Sequence, residues 1–250
     1  MAIYTEEEAR KILEKALSFS KADACEINLG GSNSGNIRYA RNTVSTAGHQ
    51  SSQSLVVQSS FGKKVGTATI DEFDDASLEK VVRRAEELAN LSPENPEFMP
   101  PLGPQKYDES ITYVEATANT TPEFRAEVAS KSIVPAAAKD VTAAGFLNDG
   151  ARFSAMINSN GLFAYNKSTN MDFTVTMRTN DGTGSGWVTR DYNDITKFDA
   201  AEASQVAIDK AVMSREAKAI EPGKYTVILE PAAASDLLRN MIFSFNARSA

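Results

Sequence analysis

Few side chains in this 250-residue sequence are suited to metal or nucleophilic chemistry. It contains one histidine, His49, and one cysteine, Cys25, which lie far apart. A zinc site takes three or four ligands from His, Cys, Asp and Glu, and the sequence shows no such cluster. A histidine can serve as a general base, but nothing near His49 marks a catalytic triad. Cys25 alternates with its neighbours as a small buried thiol on a strand does, so we predict no catalytic role for either residue.

Three further motifs have ordinary structural explanations. The glycine-rich stretch TNDGTGSGWV (179–188) runs into a predicted strand, whereas a phosphate-binding loop opens into a helix, so we predict a hairpin tip. The acidic run DEFDD (71–75) precedes a predicted helix, where carboxylates cap free N–H groups. DYNDIT (191–196) lacks the glycine and the distal glutamate of a calcium loop.

The elements that would hold these residues form two similar blocks. In the first, Thr5 and Glu8 predict a capping box, strands follow at ADACEINLG and NIRYARNTVS, Gly62 marks a hairpin, and a helix spans about 74–90. In the second, Thr121 and Pro122 predict a helix start, and five short strands and another helix follow. Without βαβ alternation, this layout predicts an α+β fold of helix–meander–helix blocks with antiparallel or mixed sheets.

The domain boundaries follow from composition. We predict a first α+β region at residues 1–91, a proline-rich extended linker at 92–110, a middle α+β region at 111–219 and the start of a third region at 220–250. The third region contains a short apolar strand at Val227–Leu229 and a helix that opens at Pro231. The apolar face of this helix is unfinished at Ala250, and we expect the chain to be part of a longer protein.

Charge and hydropathy narrow the classes of partner. The net charge is −7, and the most basic cluster, KVVRR (80–84), is interleaved with glutamates on a predicted helix, so direct nucleic-acid binding is not expected. The longest apolar run, YTVIL, is too short to span a bilayer, and the first residues do not resemble a signal peptide. With a single cysteine, these features predict a cytoplasmic protein.

The closing segment carries a resemblance to a known family. EPGKYTVILEP (221–231) resembles the strand that opens the third region of TldD/PmbA proteins, and INSNGL (157–162) resembles a turn in their middle region. This family includes modulators of DNA gyrase and metalloprotease subunits. Catalytic TldD-type members carry an HExxxH motif after a Leu-Leu pair, in which the histidines bind the metal and the glutamate is the general base.

The resemblance places three unsuitable residues at those positions. Ungapped alignment after Leu237 and Leu238 puts Arg239 at the place of the first histidine, Asn240 at that of the glutamate and Ser244 at that of the second histidine. Arginine stays protonated and has no lone pair for a metal, asparagine is not a base near neutral pH, and serine is a poor neutral ligand. The resemblance therefore implies a PmbA/TldE-like chain without catalytic, metal or cofactor-binding residues, with zinc expected only in a TldD-type partner.

Three functions remain open at this point. The first is a metal-free subunit of a TldD/TldE-type metallopeptidase, in a homo- or heterodimer that processes extended or unfolded peptides. The second is a regulatory factor that acts on DNA gyrase or a toxin–antitoxin system without proteolysis. The third is an autonomous hydrolase that uses His49 or serines. The lack of metal ligands favours the first.

Overall fold

A six-stranded antiparallel sheet organises residues 3–246, which are the residues described by the computed structural model. Its strand order is β3-β2-β1-β4-β5-β6, so the two central strands come from the two blocks predicted from the sequence. The strands are β1 (Ala24–Ala40), β2 (Thr43–Phe61), β3 (Lys64–Ile70), β4 (Val141–Asn158), β5 (Phe163–Thr179) and β6 (Ser185–Tyr192). The α+β class predicted from the sequence is confirmed.

Helices pack on one face of this sheet. They are α1 (Glu6–Ser18), α2 (Asp75–Leu91), the short α3 (Glu115–Ala118), α4 (Pro122–Ala137) and α5 (Ala200–Met213), whereas a further helix, α6 (Pro231–Ile242), has no buried residue. Alternate residues of each strand turn toward α1 and α2 or toward α4 and α5, which produces two hydrophobic clusters. The strand residues that alternate with these buried ones, such as Arg152 and Ser154 of β4, are exposed on the opposite face of the sheet.

The two blocks have the same layout, which we name the first half (α1, β1–β3, α2) and the second half (α4, β4–β6, α5). They meet where β1 pairs antiparallel with β4, from Glu26 opposite Asn158 to Tyr39 opposite Gly145. Each half therefore continues outward from the centre as a meander of three strands.

Local signals set the ends of several helices as predicted. Thr5 and Glu8 form a reciprocal capping box on α1. Asp74 accepts hydrogen bonds from two backbone N–H groups at the start of α2, and Thr121 caps α4 with Pro122 in its first turn. The hairpin at Gly62 is also confirmed, with φ of +55° at that residue.

The number and length of the strands were predicted wrongly. The predicted strand at ADACEINLG and the first five residues of NIRYARNTVS belong to the continuous 17-residue β1, while the rest of NIRYARNTVS is the turn at Arg41–Asn42 and the start of β2. The five short strands of the second half are three. The Gly, Ser and Asn residues at 30–36 suggested a turn, but β1 is hydrogen-bonded there by β2 on one side and β4 on the other. Pairing on both edges keeps these residues extended despite their low strand propensity.

The proline-rich linker is an extended strap, which we define as Ser92–Val114. It contains no helix or strand and bonds back to the sheet at both ends. Near its start Glu94 bridges to Lys64, and Leu102 O accepts a hydrogen bond of 2.9 Å from Asn158 Nδ2. Beyond the second half, Val227–Leu229 does not form the predicted strand; Ile228 is 97% exposed and no neighbouring strand pairs with this segment among the described residues.

Candidate functional site

The three residues at the HExxxH positions lie at the end of α6. Pro231 starts this helix as predicted. Arg239 forms an ion pair with Asp236, and Asn240 Nδ2 donates to Asp236 O at 2.9 Å. Ser244 lies just beyond the last helical residue. All three side chains are exposed, as is the apolar face of the helix, including Leu237 and Leu238.

This donor set does not fit a catalytic metal. A guanidinium paired with a carboxylate, an amide bonded to the backbone and a hydroxyl offer neither an imidazole lone pair nor a carboxylate base. Within residues 3–246, no group of three or more His, Cys, Asp or Glu side chains is placed to hold a metal ion. No reaction step can therefore be assigned to the side chains of this helix.

His49 and Cys25 lie in different surroundings. His49 is exposed on β2, and no hydrogen-bond partner of its ring is found among the described residues. Cys25 is 1% exposed against α1 and α2, as its alternation predicted, and burial raises the pKa of its thiol. A high thiol pKa disfavours the nucleophilic thiolate.

The hairpin tip predicted at 179–188 is confirmed, and DYNDIT contains a capped turn. The stretch at 179–188 is the tip of the β5–β6 hairpin, where Gly182 has φ of +78° and Asp181 accepts a 2.9 Å hydrogen bond from Thr183 N. The hydrogen bond from the Thr179 hydroxyl, which has the largest effect, and those from the backbone N–H and hydroxyl of Thr183 lower the pKa of the Asp181 carboxyl to about 2. In DYNDIT, Asp194 caps a short 3-10 turn at Ile195–Lys197.

The first half has a long strand edge without a partner strand among the described residues, which the sequence did not predict. β2 pairs with β3 only over Leu55–Phe61, so Thr43–Ser54 forms the edge of the sheet. We call its outward side the open edge. No element among residues 3–246 hydrogen-bonds to it. The segment has no Pro, Lys, Arg, Asp or Glu, the residues by which proteins usually block strand pairing.

The direction of the backbone groups on the open edge follows from the hairpin. The two-residue turn at Gly62 closes on the pair Phe61–Lys64, so odd-numbered residues of β2 direct their N–H and C=O toward β3. The same parity continues back to Thr46, before which a β-bulge shifts the register with β1. Ala47, His49 and Ser51 therefore present unpaired backbone groups at the open edge.

In the second half the equivalent edge is covered by the strap. β5 pairs with β6 only over Met171–Arg178, which leaves Phe163–Asn170 beyond the end of β6. There Thr169 N donates to Thr112 O at 3.0 Å, and Thr112 Oγ1 donates to Lys167 O at 3.1 Å. Lys167 also covers the ring of Tyr113, with Nζ 4.0 Å from its centroid. An extended segment of this chain thus occupies the edge that is free on β2.

A cavity of about 520 Å³ adjoins the open edge on the helical face of the sheet. Its lining includes Ile37, Ala47, His49, Pro122 and Arg125. The guanidinium of Arg125 is buried there and forms two 2.7 Å hydrogen bonds to Asp149. Because each charge is neutralised by the other, the cavity presents a largely uncharged inner wall.

Two family models match most of the chain. Residues 25–89 match the PmbA/TldA metallopeptidase domain 1, and residues 100–215 match the PmbA/TldA metallopeptidase central domain. The chain belongs to the PmbA/TldD family. The resemblance inferred from the closing segment is therefore confirmed at the level of the family.

Solved structures share this fold at low sequence identity. TldE from Thermococcus kodakarensis matches with a TM-score of 0.70 and 17% identity, over 82% of this chain and 47% of that one. Two proteins described as candidate modulators of DNA gyrase also match. The one from Thermotoga maritima has a TM-score of 0.76 and 16% identity, over 86% and 50% of the two chains. The one from Bacteroides thetaiotaomicron has 0.81 and 18%, over 97% and 58%.

The matched structures are of longer chains. The chain spans about half the length of the solved structures that it resembles. Comparison with curated protein sequences gave no significant match. No helix in the described part of the chain combines the length and apolarity needed to cross a membrane.

Proposed function

We propose that this PmbA/TldD-family chain is the non-catalytic, TldE-like subunit of a TldD/TldE-type metallopeptidase that processes extended or unfolded peptides. In this assembly a TldD-type partner supplies the zinc ion and the general base. The observation that carries the proposal is the chemistry of Arg239, Asn240 and Ser244, which cannot perform the roles of an HExxxH motif.

Two features support a role in binding rather than catalysis. His49 is exposed without a hydrogen-bonded partner among the described residues, and the Cys25 thiol is buried with a raised pKa. The open edge of β2, in contrast, offers main-chain donors and acceptors that suit an extended peptide. A subunit that presents substrate without cleaving it agrees with both features.

Metal analysis and peptidase assays of the protein alone and with a TldD-type partner test this proposal. We expect no stoichiometric zinc and no cleavage by the chain alone, and cleavage once the partner is added. Stoichiometric zinc in the unmodified chain, or cleavage without the partner, would contradict the proposal.

The alternative is a regulatory protein that acts on DNA gyrase or a toxin–antitoxin system without proteolysis. The observation that favours it is the description of two structural neighbours as candidate modulators of DNA gyrase. The net charge of −7 suits contact with protein better than contact with DNA. Affinity capture that recovers gyrase without a TldD-type partner would support this alternative.

A further inference from the structure

We propose that the open edge of β2 is a docking site for an extended peptide, which adds to the sheet as a seventh strand. This inference deepens the proposed function, because it identifies where this subunit would hold a peptide. It rests on the comparison between two equivalent edges within the molecule.

The first step is the equivalence of the edges. In both halves the middle strand of the meander is much longer than the outer strand: β2 has 19 residues against 7 in β3, and β5 has 17 against 8 in β6. In both, the outer strand pairs with the C-terminal part of the middle strand. The N-terminal part of each middle strand therefore extends past its neighbour.

The second step is what occupies the edge of β5. The strap contacts it at Thr112, whose main-chain O accepts a hydrogen bond from Thr169 N and whose side-chain Oγ1 donates to Lys167 O. Both of these β5 residues have odd numbers, and their side chains face the helices. On β2 the outward-directed residues, such as His49 and Ser51, also face the helical side. The open edge thus offers the same arrangement of donors and acceptors as the edge that binds the strap.

The third step is the character of the side chains on the open edge. Between Thr43 and Ser54 all of them except Val44 are small or polar, and all except Gln53 are exposed. Recognition through the backbone of such a strand makes little demand on peptide sequence. Selectivity would come from the cavity beside Ala47 and His49, because side chains on neighbouring strands lie about 5 Å apart on the same face. The uncharged cavity suits one apolar side chain of the peptide.

A second copy of the chain is the competing occupant. Two β2 strands could pair, but Val44 is the only large aliphatic side chain of the segment, and stable homodimers need an apolar centre with about 1,200 Å² or more of buried surface. A β2–β2 contact of exposed Ser, Thr and Gln side chains supplies no such centre. The open edge therefore suits a short peptide better than a second copy.

Fluorescence anisotropy with a labelled peptide tests the inference directly. The probe is residues 109–115, the end of the strap with Glu115 added, blocked at both ends, because Thr112 of this segment already bonds to β5. We expect saturable binding to the full chain. Methylation of the three central amide nitrogens of the probe, which removes donors on both of its edges, should weaken binding about tenfold or more.

Variants at Ser51 locate the bound peptide. Ser51→Pro removes an outward N–H, which edge strands tolerate, and should reduce binding by about tenfold or more without changing the melting temperature. The matched Ser51→Ala variant keeps the N–H and should bind as the unmodified protein does. Ala47→Phe fills the cavity and should abolish the preference for a probe with Ile111 over one with alanine at that position.

The possible outcomes separate this inference from the proposed function. Unchanged binding by Ser51→Pro, or binding that tolerates the N-methylated probe, overturns the docking site, as does failure of the probe to bind. A dimer by sedimentation that Ser51→Pro converts to a monomer assigns the edge to a second copy instead. If any of these results accompanies cleavage with a TldD-type partner, the proposed function stands while the docking site fails. Probe binding without any partner-dependent cleavage gives the reverse conclusion.

Discussion

The two halves of the sheet share a layout, but they differ in whether another segment covers the part of the middle strand that extends past the outer strand. In the second half the strap covers the edge of β5 and bonds to Lys167 and Thr169. In the first half no segment within residues 3–246 pairs with the edge of β2 over Thr43–Ser54, and this stretch contains no charged residue or proline that would block pairing. Unblocked strand edges invite association, so an edge retained in this state points to a binding role. The covered edge shows the geometry that a bound segment would adopt.

A buried ion pair of the second half lies at the junction with the first half. Arg125 of α4 lies over Gly35 of β1 and bonds to Asp149 of β4, so it contacts both central strands. A Cβ at Gly35 would lie 2.1 Å from the guanidinium carbon, so glycine is required at this position. Removal of one partner of this pair should therefore be the most destabilising change at the junction.

The largest predicted effect is therefore that of Arg125→Leu. It leaves Asp149, which is 1% exposed, as an unpaired buried charge, and should lower the free energy of unfolding by about 3–5 kcal/mol. Urea denaturation measures the loss. The double variant with Asp149→Leu should recover much of it, and Arg84→Leu, whose partner Glu87 is exposed, should change stability by less than about 1 kcal/mol. Equal losses of stability in Arg125→Leu and Arg84→Leu would contradict the role given to the buried pair.

A second prediction tests the equivalence of the outer strands. Gly66 of β3 and Gly186 of β6 let α2 and α5 approach closely, because an added Cβ would lie 2.1 Å from Ala89 N and from Ala207 O. Gly66→Ala and Gly186→Ala should each cost about 1–3 kcal/mol by thermal or chemical denaturation. Gly103→Ala, with no atom within 4 Å of the added Cβ, is the control. A large cost in one half alone would show that the helices pack differently in the two halves.

The smallest predicted effect concerns the two edges themselves. Thr169 Oγ1 accepts from Val114 N at 3.1 Å and donates to Asn193 O at 2.8 Å, so Thr169→Val should cost about 1–2 kcal/mol. Gln53 holds the corresponding place on β2, two residues before pairing with the outer strand begins. Gln53→Ala should change stability by less than about 0.5 kcal/mol. Amide exchange gives a second measurement: Thr169 N–H should be protected and Gln53 N–H should exchange rapidly in the absence of peptide.

How far the sequence predicted the structure depended on the distance over which each signal acts. The capping residues of α1, α2 and α4 and the turn at Gly62 were predicted correctly because each acts within a few residues. The continuity of β1 was missed because its Gly-, Ser- and Asn-rich centre has turn-like composition, while partners on both sides keep it extended. The strand predicted at Val227–Leu229 was wrong because apolar composition alone does not supply a partner strand.

For the candidate site, the sequence by itself determined what Arg239, Asn240 and Ser244 cannot do, because lone pairs and protonation belong to the side chains themselves. It also determined the repeated order of helices and strands, since those signals are local. Only the tertiary structure decided that both halves share one sheet, in which Cys25 N bonds to Ser159 Oγ 134 residues away. Only the tertiary structure likewise decided that β2 extends beyond β3 and that the strap covers β5, because strand register is set by contacts between distant segments.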